Sequence, residues 1–500
     1  MRRAHLRSLS SDWRFAALIA AAAIYYLFLL SNGTFRLFAP EMLDKAFDSM
    51  LVHLLRGEFT VDREAIGFEA FTRDGRAYAY FGIVPALLRL PALPFVEIAE
   101  ASLARLSCLI AVVLYVAVQL RMLVIVHESL PPRSRMRGLL GVMVVATVLS
   151  GPQLYILGSA SIYHEPILWS AVMAATFNLV VVRVAFPGCH LATRHLVWLA
   201  TLAGLAINTR ASIGGALYLG TILLIGRAAW KRHSGSRDER LSMTSAGVAH
   251  GKINGMVGDP RIALPIAVLI SFVIIAGTVN FERWGNPFRF VDYQYYDFSN
   301  LHRRNDFAVI RDFGEISLGR AWVGAFYYAT GIPYVLKAVP PFAEFLHSRY
   351  QAIEAPPITP VLTNPLTILL GTVGLYRLWS NPPLSAEGAM LLLLVLIGHA
   401  AAVLVVFGAM YLALRYRFDL APFTILAALI GYRAVSIAAA EASETWRKRL
   451  RIALVGLCLL GIFSSHYVLL IHKVWSIAVP MPVRLALLPF APFAHAAFEK

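Results

Sequence analysis

The chain has few charged residues, and this scarcity excludes a soluble globular protein. Only 15% of its 500 residues are Asp, Glu, Lys or Arg, whereas 58% are hydrophobic and the mean hydropathy is +0.65. A soluble domain carries roughly a quarter charged residues. The composition therefore predicts a polytopic membrane protein.

The motifs of familiar soluble enzymes are also lacking. No glycine-rich phosphate loop and no HExxH, GxSxG or CxxC pattern occurs. Of the three cysteines, Cys108 and Cys458 lie in apolar runs and Cys189 lies in a short loop. This spacing offers neither a disulfide framework nor a cysteine metal site.

The apolar residues form eleven runs, most of them close to the roughly 20 residues that a spanning helix needs. They predict an all-α bundle of about eleven transmembrane helices. The runs lie at about 15–30, 101–126, 138–157, 167–186, 196–207, 213–225, 262–279, 366–379, 388–414, 420–440 and 452–471.

A polar segment at 230–261 divides the chain into two transmembrane modules, 1–229 and 262–500. The first module holds an outer loop at 32–100, with interfacial helices, and the second holds a long outer loop at about 280–365. The net charge of +16 favours membrane topology over nucleic acid, because the basic residues gather in short loops that eleven alternating helices place on one side. By the positive-inside tendency, that side and the N-terminus are cytoplasmic. The basic loop residues are Arg2, Arg3, Arg7, Arg133, Arg135, Arg137, Lys231, Arg232, Arg237, Arg240, Arg447, Lys448, Arg449 and Arg451.

The first outer loop contains the leading candidates for catalysis. Asp44 and Asp48 are four residues apart in a stretch with helical apolar spacing, so they are predicted to share one helix face at the membrane surface. Carboxylates in that place could accept a proton from a hydroxyl or hold a divalent cation against a phosphate. The alternative is that both are the wet face of an interfacial helix.

Arginines on the same outer side are candidate phosphate ligands. Arg210 ends a short apolar run, and Arg415 and Arg417 end another. Guanidinium groups near paired acids can form a phosphate clamp, although arginine at a helix end also commonly snorkels to the interface.

Four further residues are candidate substrate ligands. His164 and Glu165 stand together in a polar break between two apolar runs, and an acid beside an imidazole suits acid–base chemistry or, with more ligands, a metal. A proline-initiated helix start explains them equally well. Tyr80 lies in an aromatic segment at 75–91, which also fits an interfacial aromatic belt. Arg283 lies in an aromatic stretch at 281–298 that suits either a sugar-stacking loop or a lid without a ligand.

The order of these segments resembles the GT-C superfamily of membrane glycosyltransferases, which includes protein O-mannosyltransferases and lipid A aminoarabinose transferases. The resemblance rests on FDSMLVHLLRGEF, GRAYAYFGIVPALLRLP, the YHE turn, GLAINTR, RWGNPF and RYRFDLAP, in that order. It implies a polyprenyl-phosphate sugar donor, a first-loop acid (Asp44 or Asp48) as base, and outer arginines (Arg210, Arg415 or Arg417) that hold the lipid phosphate. The adjacent acids common in the superfamily are here separated by three residues, which leaves the base ambiguous and a metal open.

The predicted function is therefore a hexosyl or pentosyl transferase of the cell inner membrane, acting on its outer face with inversion at the sugar. A flippase or transporter of a lipid-linked sugar is the main alternative, and a scaffold is a third. A transporter favours ionisable residues at mid-membrane, where His399 and Arg121 are the few candidates. The sugar, the acceptor (glycan, lipid or protein), any cofactor beyond a divalent cation and the oligomeric state are not indicated.

Overall fold

The structure, a computed structural model, describes residues 13–98, 100–244, 260–298, 306–354, 359–475, 481 and 484–485, with only the backbone at 232, 234–244, 260 and 306–308. Most of the predicted cytoplasmic loop at 230–261, the N-terminal arginines and nearly all of the tail beyond 475 lie outside the described residues.

The fold class predicted from the sequence is confirmed, because the described chain is a bundle of α-helices with only four very short strands. The helices are α1 Trp13–Leu30, α2 Ala46–Leu55, α3 Arg63–Ile66, α4 Val84–Leu87, α5 Ala104–Glu128, α6 Arg137–Leu149, α7 Pro152–Ile156, α8 His164–Ala185, α9 Thr193–Ile207, α10 Ala211–Thr244, α11 Pro260–Trp284, α12 Asp306–Phe313, α13 Leu318–Thr330, α14 Ile332–Leu336, α15 Phe342–Arg349, α16 Pro360–Thr363, α17 Pro365–Ser380, α18 Ala386–Gly408, α19 Ala421–Glu441 and α20 Glu444–Trp475. The strands are β1 Phe71–Arg73, β2 Arg76–Tyr78, β3 Ala352–Ile353 and β4 Tyr411–Leu412.

All eleven predicted apolar runs are helical, but the count of eleven spanning helices is not confirmed. Within the described residues, 9 helices are long and apolar enough to cross a membrane by length and composition. Of the other two runs, α9 has 15 residues and α17 has 16. At 1.5 Å per residue each is shorter than a hydrocarbon core of about 30 Å.

Two short pairings tie the outer loops to the bundle. Strands β1 and β2 form an antiparallel hairpin in the first outer loop, and Phe71 also bridges to Tyr296 of the long loop. Strand β3 pairs in parallel with β4, just beyond the end of α18. The two outer loops therefore pack on one end of the bundle.

The basic loops lie at the other end. Arg227 and Lys231, late in α10, both pair with Glu387 at the start of α18, whereas Arg210 directly precedes α10. Helix α18 runs from the end of the bundle marked by Glu387 to the end that carries the outer loops. At the rise of an α-helix, this distance along α18 is about 27 Å. The end of α1 also lies at the outer end, because Lys473 near the end of α20 donates to the carbonyl of Leu29.

Glycine lets the helices of the second module approach closely. A Cβ on Gly431 of α19 would lie 1.8 Å from the carbonyl oxygen of Leu370 in α17, and one on Gly374 would lie 2.0 Å from that of Ala427. Small residues at such crossings are the usual means of helix association in membranes, where water does not drive apolar packing. The contact between α17 and α19 therefore depends on these glycines.

We expect Gly431→Ala to destabilise the protein by about 1–3 kcal/mol, because the new methyl group forces two backbones apart. The control is Gly456→Ala in α20, where nothing lies within 4 Å of the added Cβ and alanine is the better helix former. Thermal unfolding of the purified protein measures both variants. Equal melting temperatures for the two would show that the close crossing is not needed.

Candidate active site

The outer end of the bundle contains a half-enclosed cavity of about 240 Å³. It brings together four of the predicted substrate ligands, Tyr80, Arg210, Arg283 and Arg415. Its apolar wall comes from the ends of spanning helices, with Ala276 and Val279 from α11 and Val405 and Val406 from α18. The cavity is therefore polar on the side of the outer loops and apolar on the side of the bundle.

Two arginines lie close to one tyrosine ring in this cavity. The guanidinium carbon of Arg210 lies 4.9 Å from the centre of the Tyr416 ring, and that of Arg415 lies 5.3 Å from it. Arg415 also lies 4.9 Å from the centre of the Tyr163 ring. Stacking on aromatic faces fixes the planes of both guanidinium groups and leaves their edges for hydrogen bonds.

Each of these arginines has one acidic partner and spare donors. Arg210 donates through Nε and Nη2 to Asp419, with Nη2 at 2.8 Å from Oδ2, and Arg415 donates through Nη1 to Glu354 at 2.6 Å. The carboxylate of Asp419 is the main cause of a raised pKa for Arg210, against the opposing effect of burial. Within the described residues, Nη1 of Arg210 and Nε and Nη2 of Arg415 have no hydrogen-bond partner. These donors are available to an anion in the cavity.

Arg283 supplies a third positive charge, which has no carboxylate partner in the described chain. Its Nη1 donates to the carbonyl of Phe81 at 2.7 Å, its Nη2 lies 3.8 Å from the sulfur of Met50, and its Nε is unpaired. The side chain is 2% exposed. Arg283 therefore adds positive potential to the cavity wall while it holds the first outer loop against α11.

Glu315 is the cavity carboxylate that the sequence analysis missed. It lies just before α13, and its main-chain oxygen accepts from Met410. Its carboxylate has no partner among the described residues, and burial raises its pKa, with the Arg289 charge opposing. No motif marks Glu315; the only signal is its place beside an apolar stretch in the long outer loop.

The structure places Asp44 and Asp48 differently from the prediction of a shared helix face, which is wrong. Helix α2 begins at Ala46, and Leu43 has a φ of 57°, so Asp44 lies in the turn before the helix. The Asp44 carboxylate accepts from the hydroxyl of Ser102 and from the main-chain N–H of Glu41. Neither aspartate lines the cavity, and α2 is packed inside the protein rather than laid on a wet surface, since six of its ten residues are buried.

Asp48 belongs instead to a buried cluster with Glu165. Nη1 of Arg89 lies 2.6 Å from Oδ1 of Asp48, and Nη2 lies 2.7 Å from Oε2 of Glu165. Asp48 is thus held by a close ion pair with Arg89, whereas Glu165 also accepts from the hydroxyl of Ser107. One guanidinium faces two carboxylates here. Burial raises the pKa of Asp48 to about 7, although the Arg89 charge opposes the rise.

The remaining predicted ligands lie outside the cavity. His164 is buried and its Nδ1 lies 2.7 Å from the carbonyl oxygen of Ser159, which suits the helix-start interpretation. Arg417 faces a second, smaller cavity. Among the described residues, no group of three or more His, Cys, Asp or Glu side chains could hold a metal ion.

Comparison with solved structures identifies membrane glycosyltransferases. The chain is 15% identical to the apo oligosaccharyltransferase of Archaeoglobus fulgidus, with a TM-score of 0.47, over 92% of this chain and 58% of that one. Oligosaccharyltransferase AglB of the same organism, in complex with an inhibitory peptide and a dolichol-phosphate, is 12% identical with a TM-score of 0.44, over 92% and 56% of the two chains. ArnT from Cupriavidus metallidurans, bound to undecaprenyl phosphate, is 13% identical with a TM-score of 0.37, over 98% and 72%.

These neighbours are GT-C glycosyltransferases. They belong to the superfamily that the sequence motifs resemble, and the chain spans 58% of the length of the oligosaccharyltransferase. No family model matches the chain, and no curated protein matches it. Since the TM-scores lie below 0.5, the chemistry of the site follows from its own geometry alone.

We expect the stability of the protein to fall as the pH rises from about 4 to about 7. The folded state holds a proton on Asp48, whose pKa is raised to about 7, after the unfolded state has released it near 3.8. Asp48→Asn removes this proton equilibrium and leaves Arg89 paired one-to-one with Glu165, so its melting temperature should fall less between pH 5 and pH 8.

The matched control is Asp74→Asn. The Asp74 side chain is 83% exposed, so the pH dependence of its variant should equal that of the wild type. Thermal unfolding at a series of pH values gives the slopes. The same slope for D48N and wild type would contradict the assignment of the buried proton to Asp48.

Proposed function

We propose that the protein is a membrane glycosyltransferase that moves a sugar from a polyprenyl-phosphate donor to an acceptor on the outer face of the cell inner membrane. The observation that carries the proposal is the cavity in which Arg210 and Arg415 flank Tyr416 opposite an apolar wall. A donor of this class joins a phosphate to a long apolar chain. Its phosphate suits the spare guanidinium donors, and the first isoprene units suit the ends of α11 and α18.

The tyrosines of the cavity suit the sugar. The cavity wall includes Tyr80, Tyr163, Tyr293, Tyr411 and Tyr416. Aromatic rings pack against the apolar face of a pyranose or furanose, and their hydroxyls supply hydrogen bonds at the edge.

The chemistry is a single displacement with inversion. The acceptor oxygen forms a bond to the anomeric carbon, the bond from that carbon to the phosphate oxygen breaks, and the polyprenyl phosphate leaves with the electron pair. Arg210 and Arg415 stabilise the negative charge that grows on the phosphate. The acceptor proton passes to a carboxylate, which raises the nucleophilicity of the oxygen as the bond forms.

We assign the role of this base to Glu315 in preference to Asp44 or Asp48. Glu315 lines the cavity with an unpaired carboxylate, and its raised pKa favours proton acceptance. Asp419 also lines the cavity, but it is neutralised by Arg210. The first-loop aspartates would have to leave their buried partners before they could reach an acceptor. A base role for either aspartate remains the prediction from sequence, and variants distinguish the two.

The proposed orientation places this cavity outside the cell and the N-terminus in the cytoplasm. The basic residues of α10 lie at the opposite end of the bundle, which is the cytoplasmic end by the positive-inside tendency. The transporter alternative is less well supported. His399 of α18 is buried and bonded to Asn178 at 2.8 Å, so it serves packing between spanning helices rather than an ion pathway.

We expect Arg415→Gln to weaken binding of undecaprenyl phosphate about 10-fold or more, because a charge-assisted contact to the phosphate is lost. The matched control is Glu354→Gln, which removes the partner of Arg415 but leaves the guanidinium in place. It should keep or strengthen binding, since less negative charge opposes the ligand. Titration of the purified full chain in nanodiscs measures the affinities. Equal weakening in both variants would indicate that the ion pair is merely structural.

We expect Glu315→Gln to lower the rate of transfer about 10²–10⁴-fold at unchanged abundance in the membrane, because the acceptor proton loses its acceptor. The assay uses cells that lack the protein and therefore show a changed envelope glycan. Each variant is expressed in these cells, and the restored amount of the normal glycan is measured. D44N and D48N are the comparison. Transfer that survives in E315Q but is lost in either aspartate variant would return the role of base to the first loop.

A further inference from the structure

The structure contains a second cavity that the proposed transfer reaction does not use. It measures about 70 Å³ and lies between the 3₁₀ segment Leu414–Leu420, α7, the start of α17 and α20. A single buried water needs about 10–15 Å³ of such space, so the cavity holds a group of several heavy atoms. Its walls are largely apolar, with Ile368, Leu420 and Val468 among them.

Arg417 provides the charge of this cavity. The residue is 6% exposed, and its Nε and Nη2 have no hydrogen-bond partner. No Asp or Glu is among the described residues that line the cavity. A buried arginine without a counterion costs several kcal/mol, since its hydration is lost and nothing replaces it.

The neighbouring Arg415 shows that this arrangement is specific to Arg417. Both residues lie on the 3₁₀ segment, which has about three residues per turn, so side chains two apart point about 120° from each other. Arg415 therefore faces the first cavity and pairs with Glu354, while Arg417 faces the second. The two guanidinium groups therefore have different surroundings and contribute to two separate cavities.

Further donors converge on the same space. Tyr155 and Asn364 also line the cavity, and within the described residues neither the Tyr155 hydroxyl nor the Asn364 side-chain amide donates a hydrogen bond. By contrast, the hydroxyl of Ser465 donates to the carbonyl of Thr363 at 2.8 Å and accepts from the N–H of Gly151 at 3.0 Å. The polar groups that are free are donors, and one of them is charged.

We propose that this second cavity is an anion site that binds a phosphate group, either on a lipid headgroup or as the free ion. A phosphate supplies the negative charge that Arg417 lacks and accepts hydrogen bonds from Tyr155 and Asn364. The site rests on its own geometry and is independent of the glycosyl transfer proposed for the first cavity.

The test compares thermal unfolding of the full chain in nanodiscs with two probes. One is inorganic phosphate against chloride at equal ionic strength, and the other is phosphatidic acid against phosphatidylserine in phosphatidylcholine. We expect the melting temperature of the wild type to rise by about 2 °C or more with at least one probe. Stabilisation by phosphatidic acid alone would identify the ligand as a lipid headgroup, and stabilisation by phosphate alone would identify it as a free anion. Stabilisation by both would show that the site recognises the phosphate group from either source.

Arg417→Met decides whether the effect belongs to this site. It should raise the melting temperature without ligand, because it removes an unpaired buried charge, and it should lower the rise with ligand by the share that the second cavity binds. Arg320→Met is the matched control, since Arg320 is 1% exposed but donates to three main-chain carbonyls. It should lower the melting temperature and keep the rise with ligand. If R320M does not fold, Arg433→Met, which also removes bonds to carbonyls, takes its place.

Because the first cavity also offers guanidinium donors to a phosphate, Arg415→Gln and the double variant R415Q/R417M separate the two cavities. R415Q should keep a ligand-dependent rise, and R415Q/R417M should lose it. Loss of the rise in R415Q with its retention in R417M would assign all phosphate binding to the first cavity and overturn the proposal. So would a wild type that neither probe stabilises, or an R417M protein that is less stable than the wild type.

Discussion

The outer end of the molecule depends on the ion pair between Arg210 and Asp419. The pair joins the start of α10 to the 3₁₀ segment that precedes α19, across 209 positions of sequence. Both nitrogens of the fork engage the carboxylate, which fixes the guanidinium plane as well as its position. Tyr416 packs against that guanidinium group, and Arg415 lies close to the same ring. Without this pair, the polar half of the cavity would have no fixed shape.

A second ionic cluster performs the same task for the first outer loop, but its charges do not balance. Arg89 holds Asp48 and Glu165 together where α2 meets the start of α8. Two carboxylates against one guanidinium leave a net negative charge in a place that water does not reach. Burial raises the pKa of Asp48, and the Glu165 charge adds to the rise while the Arg89 charge opposes it. The loop is thus fastened to the bundle by a contact whose strength depends on protonation, in contrast to the balanced pair at Arg210.

Much of the fold could be predicted from the sequence, because apolar runs near the length of a bilayer crossing admit little except helices. The C-terminal end of α10 was predicted too early, and the start of α20 was predicted too late. The reason is that charged residues at helix ends continue a helix as readily as they end it. The shared face of Asp44 and Asp48 failed for a local reason. The left-handed conformation of Leu43 delays the helix, and leucine gives no sign of such a turn.

The site was harder to predict, because its residues are set by partners that spacing does not reveal. Sequence indicated Arg210 and Arg415 from their places at the ends of apolar runs, but not that Asp419 and Glu354 neutralise them. Glu315 stands alone in its segment, so no pattern pointed to it.

The distribution of arginine at this end therefore follows a single physical rule. A guanidinium buried in a membrane protein must be neutralised, solvated by carbonyls, or left for a ligand. Arg210 and Arg415 are neutralised and keep donors at their edges, and Arg320 is solvated by carbonyls. Arg417 has neither kind of partner. An unpaired charge of this kind carries a cost, and a phosphate beside Arg417 would offset it, which is the physical basis of the proposed anion site.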